Sequence, residues 1–138
     1  MKKWVMEVNK IKNSTTYGVF GKREIEFRAW SKSYKEIVKV DLLGKNKVLS
    51  SRTWFDFNDI ELMQYTGLKD KNGVKIFEGD IVKFDNKLYK VIWDSDECRF
   101  GLTNNVENTL VLLTSWRMQK LEVIGNIYEN KELMTHSC

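Results

Sequence analysis

From Ile81 to Trp93 apolar and polar positions alternate around one polar interruption, Asp85-Asn86. A two-residue hairpin turn at that pair sets Phe84 opposite Lys87 and Val82 opposite Tyr89. Val82, Phe84, Tyr89, Val91 and Trp93 then share one face, which is expected to be a core stripe. Ile81, Lys83, Leu88, Lys90 and Ile92 form a mixed second face. A slip of one residue would carry every aromatic to the wrong side, so the pairing is strongly specified.

The same period of two recurs along the chain. Ile25, Phe27 and Ala29 alternate with Glu26, Arg28 and Trp30. Further strands are expected at Glu36 to Leu43, Arg99 to Thr103, Thr109 to Ser115 and Leu121 to Tyr128, with Gly125 marking a bulge or bend in the last. Trp4 to Val8 and Thr16 to Phe20 suit a hairpin around the polar Asn9 to Thr15. Asp56 to Gln64 admits two readings, a short helix capped by Asn58 or a strand already running at Leu62 to Tyr65. Many short strands joined by tight turns, without proline and with abundant Val, Ile and aromatic residues, predict an all-β fold. Its expected form is a small antiparallel barrel-like or sandwich module, or modules, with tight hairpins and little helix.

Composition narrows the class. With 42% hydrophobic and 12% aromatic residues, the 138-residue chain is too apolar to be disordered and long enough to bury a core. There is no apolar run of about 18 residues and no cleavable leader pattern after Met1-Lys2-Lys3, so the expected place is the cytoplasm, without membrane association. Cys98 and the terminal Cys138 are poorly arranged as a structural staple, and Cys98 reads as a partly buried, inert thiol.

Charge is unevenly placed. Residues 1–22 carry five lysines against Glu7, a net of +4, and the remaining 18 basic and 18 acidic residues cancel. The body is therefore neither a basic nucleic-acid surface nor an acidic mimic of DNA. The organisation expected is a basic N-terminal extension over residues 1–22, forming either an extra hairpin or a flexible arm, then a β domain over 23–134 and a tail over 135–138.

Residues 63–84, MQYTGLKDKNGVKIFEGDIVKF, are dense in turn chemistry. Asn72-Gly73 suits positions of positive φ between strands ending near Leu68 and starting near Val74. Gly67 permits a bulge just before them. Glu78-Gly79-Asp80 turns the chain into the Ile81 strand, where the Asp80 carboxylate can accept from nearby backbone N–H groups. Together with REIEFRAW at 23–30 and LEVIGNIYEN at 121–130, the segments MQYTGLKDKNG and EGDIV resemble the YopX family of phage and prophage proteins. The resemblance spans residues 23 to 134. It implies an all-β fold and a phage setting, and it supplies no catalytic residue. Two departures stand out: 22 residues precede Arg23, where family members commonly begin, and Lys131 stands where proline often follows the Tyr-Glu-Asn run.

Catalytic chemistry finds little purchase. The single histidine, His136, is third from the end, and neither cysteine–histidine metal spacing nor a phosphate-binding glycine loop is present, so no metal, cofactor or catalytic residue is expected. Three carboxylate groups (Asp56, Asp59 and Glu61; Glu78 and Asp80; Asp94, Asp96 and Glu97) suit solvated turns better than a hydrolase, which ranks as the third reading.

Binding residues are better represented. Trp30, Trp54 and Trp116 lie beside polar or charged neighbours, and exposed Trp and Arg are frequent interface anchors. Trp30, Trp54, Tyr65, Trp116 and Arg117 are thus the candidate partner-binding residues. The leading expectation is a non-enzymatic accessory protein that binds a host or phage protein, regulating phage development or inhibiting a host pathway or defence. The alternative is a small-barrel nucleic-acid binder, with Lys2, Lys3, Lys10 and Lys12 on phosphates and Tyr65 or Trp116 on bases. Homo-oligomerisation through edge strands is compatible with each.

Overall fold

The computed structural model describes residues 23–104, 110–112 and 120–135. The hairpin expected between Trp4 and Phe20, Trp116, Arg117, His136 and Cys138 lie outside the described residues, as do Lys2, Lys3, Lys10 and Lys12.

The protein is all-β, and its described residues form three antiparallel sheets. The first has the order β2-β1-β6-β7, from β2 (Glu36–Lys39), β1 (Phe27–Ser31), the long β6 (Ile60–Lys69) and β7 (Lys75–Phe77). The second has five strands: β11 (Leu110–Leu112), β10 (Arg99–Thr103), β9 (Lys87–Asp94), β8 (Asp80–Phe84) and β12 (Glu122–Asn126). A small third sheet holds β3 (Leu42–Leu43), β4 (Lys47–Ser50) and β5 (Thr53–Asp56). A short helix, α1 (Lys131–Thr135), follows β12, an element that the alternation pattern does not predict.

The β8–β9 hairpin forms in the expected register, with Phe84 opposite Lys87 and Val82 opposite Tyr89. Asp85 and Asn86 both take positive φ, 53° and 62°, the requirement of a type I′ turn whose twist matches that of the strands. Val82, Tyr89 and Val91 are buried in one cluster with Ile76, Leu102 and Leu121, and Phe84 packs at its edge. Trp93 corrects the expected stripe: it is 46% exposed. β9 outruns β8, whose pairing with it covers Ile81 to Phe84, so Trp93 has only β10 beside it and sets its ring edge-on to Phe100.

A second cluster, Ala29, Val48, Phe55 and Ile60, joins the first sheet to the third. Because side chains alternate along β1, Ala29 points into this cluster while Arg28 and Trp30 point the other way. The bulge predicted near Gly67 is present, with φ +88° and a register shift between Tyr65 and Lys69. So is the one at Gly125, where β12 slips against β8.

Two local readings change. The region 56–64 opens with a single 3-10 turn capped by Asp56, not Asn58: the Asp56 carboxylate accepts from the Asn58 N–H at 2.9 Å. The 70–73 turn has positive φ at Gly73 (+81°) but not at Asn72. The Asp70 carboxylate shapes it instead, accepting from the N–H groups of Asn72 and Val74 at 2.8 and 2.9 Å. Cys98 is exposed rather than partly buried: it lies in the turn between β9 and β10, at a φ of +53°.

Candidate functional site

The family-like motifs meet in space through backbone-directed polar side chains. Arg28 of β1 reaches across to Asp80 at the start of β8, with Nη2 to Oδ1 at 2.6 Å. The other Asp80 oxygen accepts from the Phe77 N–H at 2.8 Å, and the Arg28 guanidinium lies 4.6 Å from the Phe77 ring centroid. Burial pushes the Asp80 carboxyl above its ordinary value, although Arg28 and the Phe77 N–H pull the other way. Glu78 accepts from the Gln64 N–H at 2.8 Å, fixing the 77–80 turn on β6.

Asp70 is nearly buried and spans two sheets, its second oxygen accepting from the Val123 N–H of β12 at 2.9 Å. Burial alone would raise its pKa, but the N–H groups of Val123, Val74 and Asn72, with Lys71 nearby, outweigh it and hold the carboxyl below its usual value. Asn126 organises the turn after β12 by accepting from the Tyr128 and Glu129 N–H groups at 3.0 and 2.8 Å. The Ile127 N–H then donates to the Gly79 carbonyl at 2.8 Å, closing the circle of motifs.

These residues therefore hold turns and sheets together. Asp94 behaves likewise, accepting from the N–H groups of Asp96 and Glu97 at 3.1 and 3.4 Å. Among the described residues, no three His, Cys, Asp or Glu side chains gather as ligands for a metal ion.

What the staples leave on the surface is a groove of about 570 Å³. Trp30, at the end of β1, stacks on Tyr128 from the turn after β12, with centroids 5.7 Å apart and planes 13° from parallel. Lys32 and Lys35 come from the β1–β2 turn, and Glu129 and Lys131 from the chain entering α1. Burial, reinforced by Glu61 and Glu78 and opposed by Arg28, raises the Tyr128 phenol pKa, so the ring stays neutral.

A second surface lies on the outer side of the third sheet. Leu42 pairs with Leu49 and Leu49 with Trp54, so the three side chains form one cross-strand row. The opposite side of the same strands carries the buried Val48 and Phe55. Leu42 is 57% and Trp54 49% exposed, and the Lys47 ammonium lies 4.6 Å from the Trp54 ring centroid.

The residues picked from sequence thus scatter. Trp30 and Trp54 reach the surface on different sheets, and Tyr65 offers no stacking face. It is 2% exposed, packed against Phe77 at 5.4 Å with the Lys75 ammonium over its ring. The β6 strand turns Tyr65 inward, on the same side as Met63. Tyr128 and Arg28 were not singled out from sequence. Their only signal was membership of the LEVIGNIYEN and REIEFRAW motifs. Among the described residues, no helix is long and apolar enough to cross a membrane.

A crystal structure of protein EF1440 from Enterococcus faecalis is similar to this chain at 27% identity and a TM-score of 0.69, covering 82% of this chain and 99% of that one. No curated protein matches the chain. A family profile described as YopX protein matches residues 26–135, the span that carries all the turn-holding residues above. The chain belongs to the YopX family.

Proposed function

We propose that the protein is a non-catalytic phage or prophage accessory module that works in the host cytoplasm by binding a host or phage protein. Regulation of phage development and inhibition of a host pathway or defence both fit such a module. The observation that carries the reading is the Leu42–Leu49–Trp54 row. The three-stranded sheet already buries Val48 and Phe55 on its inner side, and cross-strand contacts alone recover little of the apolar area that Leu42 and Trp54 leave exposed on its outer side. Trp54 lies at the end of this row, on the edge strand β5, and Trp is among the residue types most enriched among interface anchors. Asp56, Glu78, Asp80 and Asp94, at least one from each carboxylate group, are committed to backbone N–H groups, which supports binding over turnover.

The test is an affinity pull-down from host lysate with the tagged full-length chain, with and without nuclease, against a Leu42→Ser/Trp54→Ser variant. The expected result is a stoichiometric protein that survives nuclease and is retained at least tenfold less by the variant, the usual loss for one anchor of about 1.4 kcal/mol or more. Equal retention by both forms would overturn the reading. So would a monodisperse monomer that retrieves no protein. Sedimentation of the purified chain separates a second copy of itself from a foreign partner.

A further inference from the structure

The groove at Trp30 and Tyr128 is a separate surface from the proposed protein-docking face. Ala29 directs the inner side of β1 toward the third sheet, and Trp30 sits on the other side of that strand. Its charge departs from its surroundings. The body of the chain has equal numbers of acidic and basic residues, yet this groove gathers three lysines against a single glutamate. Two of its charges are already committed. The Lys32 ammonium pairs with Glu61 at 3.4 Å and donates to the Asn58 carbonyl at 3.2 Å, and Glu129 accepts from the Asn126 amide at 2.8 Å. Among the described residues, Lys35 and Lys131 have no acidic partner.

Two uncommitted ammonium groups therefore share the groove with a nearly parallel aromatic pair. Lys35 is held there by a backbone φ of +55° in the β1–β2 turn, and Lys131 by its place at the first residue of α1. An acidic peptide would use the lysines and leave the flat aromatic surface unmatched. A duplex would present stacked bases with no free face. A nucleobase with its phosphate uses both halves, and the volume falls within the range of about 300–1,000 Å³ usual for small-ligand sites. We propose that this groove binds a nucleotide, free or as one unit of a single strand, with its base against the Trp30–Tyr128 pair and its phosphate on Lys35 and Lys131.

The test uses the full chain, a fluorescein-labelled decathymidylate and unlabelled thymidine 5′-monophosphate. The variants Lys35→Glu/Lys131→Glu and Lys35→Ala/Lys131→Ala alter only exposed side chains, and circular dichroism checks that each folds as the parent does. The charge-reversed variant is expected to weaken oligonucleotide binding at least tenfold at about 0.15 M salt, and the alanine variant to lower the slope of log affinity against log salt by about 0.7, the share of one phosphate. Ultraviolet crosslinking should place the probe on Trp30 or Tyr128. Competition by the monophosphate identifies the free nucleotide as a ligand, whereas binding of the oligomer alone identifies a strand. The proposal fails if neither probe binds at millimolar concentration, or if binding is unchanged in both variants and so belongs to the basic residues 1–22. It fails equally if an acidic peptide binds the groove in their place. None of these outcomes bears on the nuclease-resistant protein partner proposed above, so the two readings stand or fall separately.

Discussion

Asp80, 1% exposed, carries a desolvation cost that Arg28 and one backbone N–H offset only in part, which is why its carboxyl is displaced upward. Pairs of this kind contribute little net stability yet punish the loss of one partner, because the survivor stays buried and charged. Arg28→Met, which leaves the buried Asp80 carboxylate without its cation, is accordingly expected to cost about 3–5 kcal/mol. The double replacement Arg28→Met/Asp80→Leu should be markedly less damaging than the sum of the two single changes. Urea denaturation of the four forms measures this. Additive losses would mean that the 2.6 Å contact carries no coupling. Gly79 next door shows how tightly this turn is built: its φ is +82°, and an added Cβ would lie 3.0 Å from the Met63 sulfur. The sequence marks both residues as turn-formers, and turn chemistry is what a local window can report. That Asp80 also meets Arg28, 52 positions away, is not legible locally. Nothing near Arg28 distinguishes an inward guanidinium from a solvated one.

At the scale of elements, the β8–β9 hairpin was readable to the residue because its alternation, its two-residue turn and its one-sided burial all agree. Asp85 and Asn86 bear the left-handed backbone that the tight turn demands. A β-branched side chain pays the full cost of that conformation, so Asn86→Val should destabilise the protein by about 1–2 kcal/mol. Asn86→Gly should be neutral or stabilising, since glycine reaches the same φ freely. Thermal melts should show a lower midpoint for Asn86→Val and an unchanged or higher one for Asn86→Gly, and an equal loss in both would remove the turn from the account. Where the alternation failed, the cause lies in neighbours the strand lacks. Trp93 has the right parity for the core, but β9 extends beyond β8 and leaves it half in water. The region 56–64 was ambiguous because a 3-10 turn precedes a strand that carries Gln64 and Thr66 among its apolar residues. Thr66 is spoken for, donating to the Ile76 carbonyl at 2.7 Å, which an alternation count scores simply as polar. The candidate sites were legible only as residue types. Trp30 and Trp54 were named, but their assignment to different surfaces depends on which side of which sheet each strand presents.

At the scale of the molecule, the first two sheets are tied to one another by a few carboxylates that accept from backbone N–H groups of other elements, while the third sheet is joined through an apolar cluster. Asp70 and Asp80, both buried, respond to pH with opposite sign. The folded pKa of Asp70 lies below its ordinary 3.8, so its contribution is complete above that value and is lost as pH falls through the folded pKa. The folded pKa of Asp80 lies above 3.8, so the fold holds this proton more tightly than the unfolded chain does. Its contribution is greatest below 3.8 and declines as pH rises through the folded value. Wild-type stability, measured by urea unfolding from about pH 2 to 6, should therefore have a shallower acid limb than Asp70 alone would impose. Asp70→Asn removes the acid-sensitive half and loses bonds to Asn72, Val74 or Val123. This variant should be less stable than wild type at neutral pH, with the difference narrowing as pH falls below about 4, where wild-type Asp70 also loses its charge. A gap that stays constant to pH 2 would show that the Asp70 carboxylate holds β12 by shape alone and that its charge contributes nothing to joining the sheets.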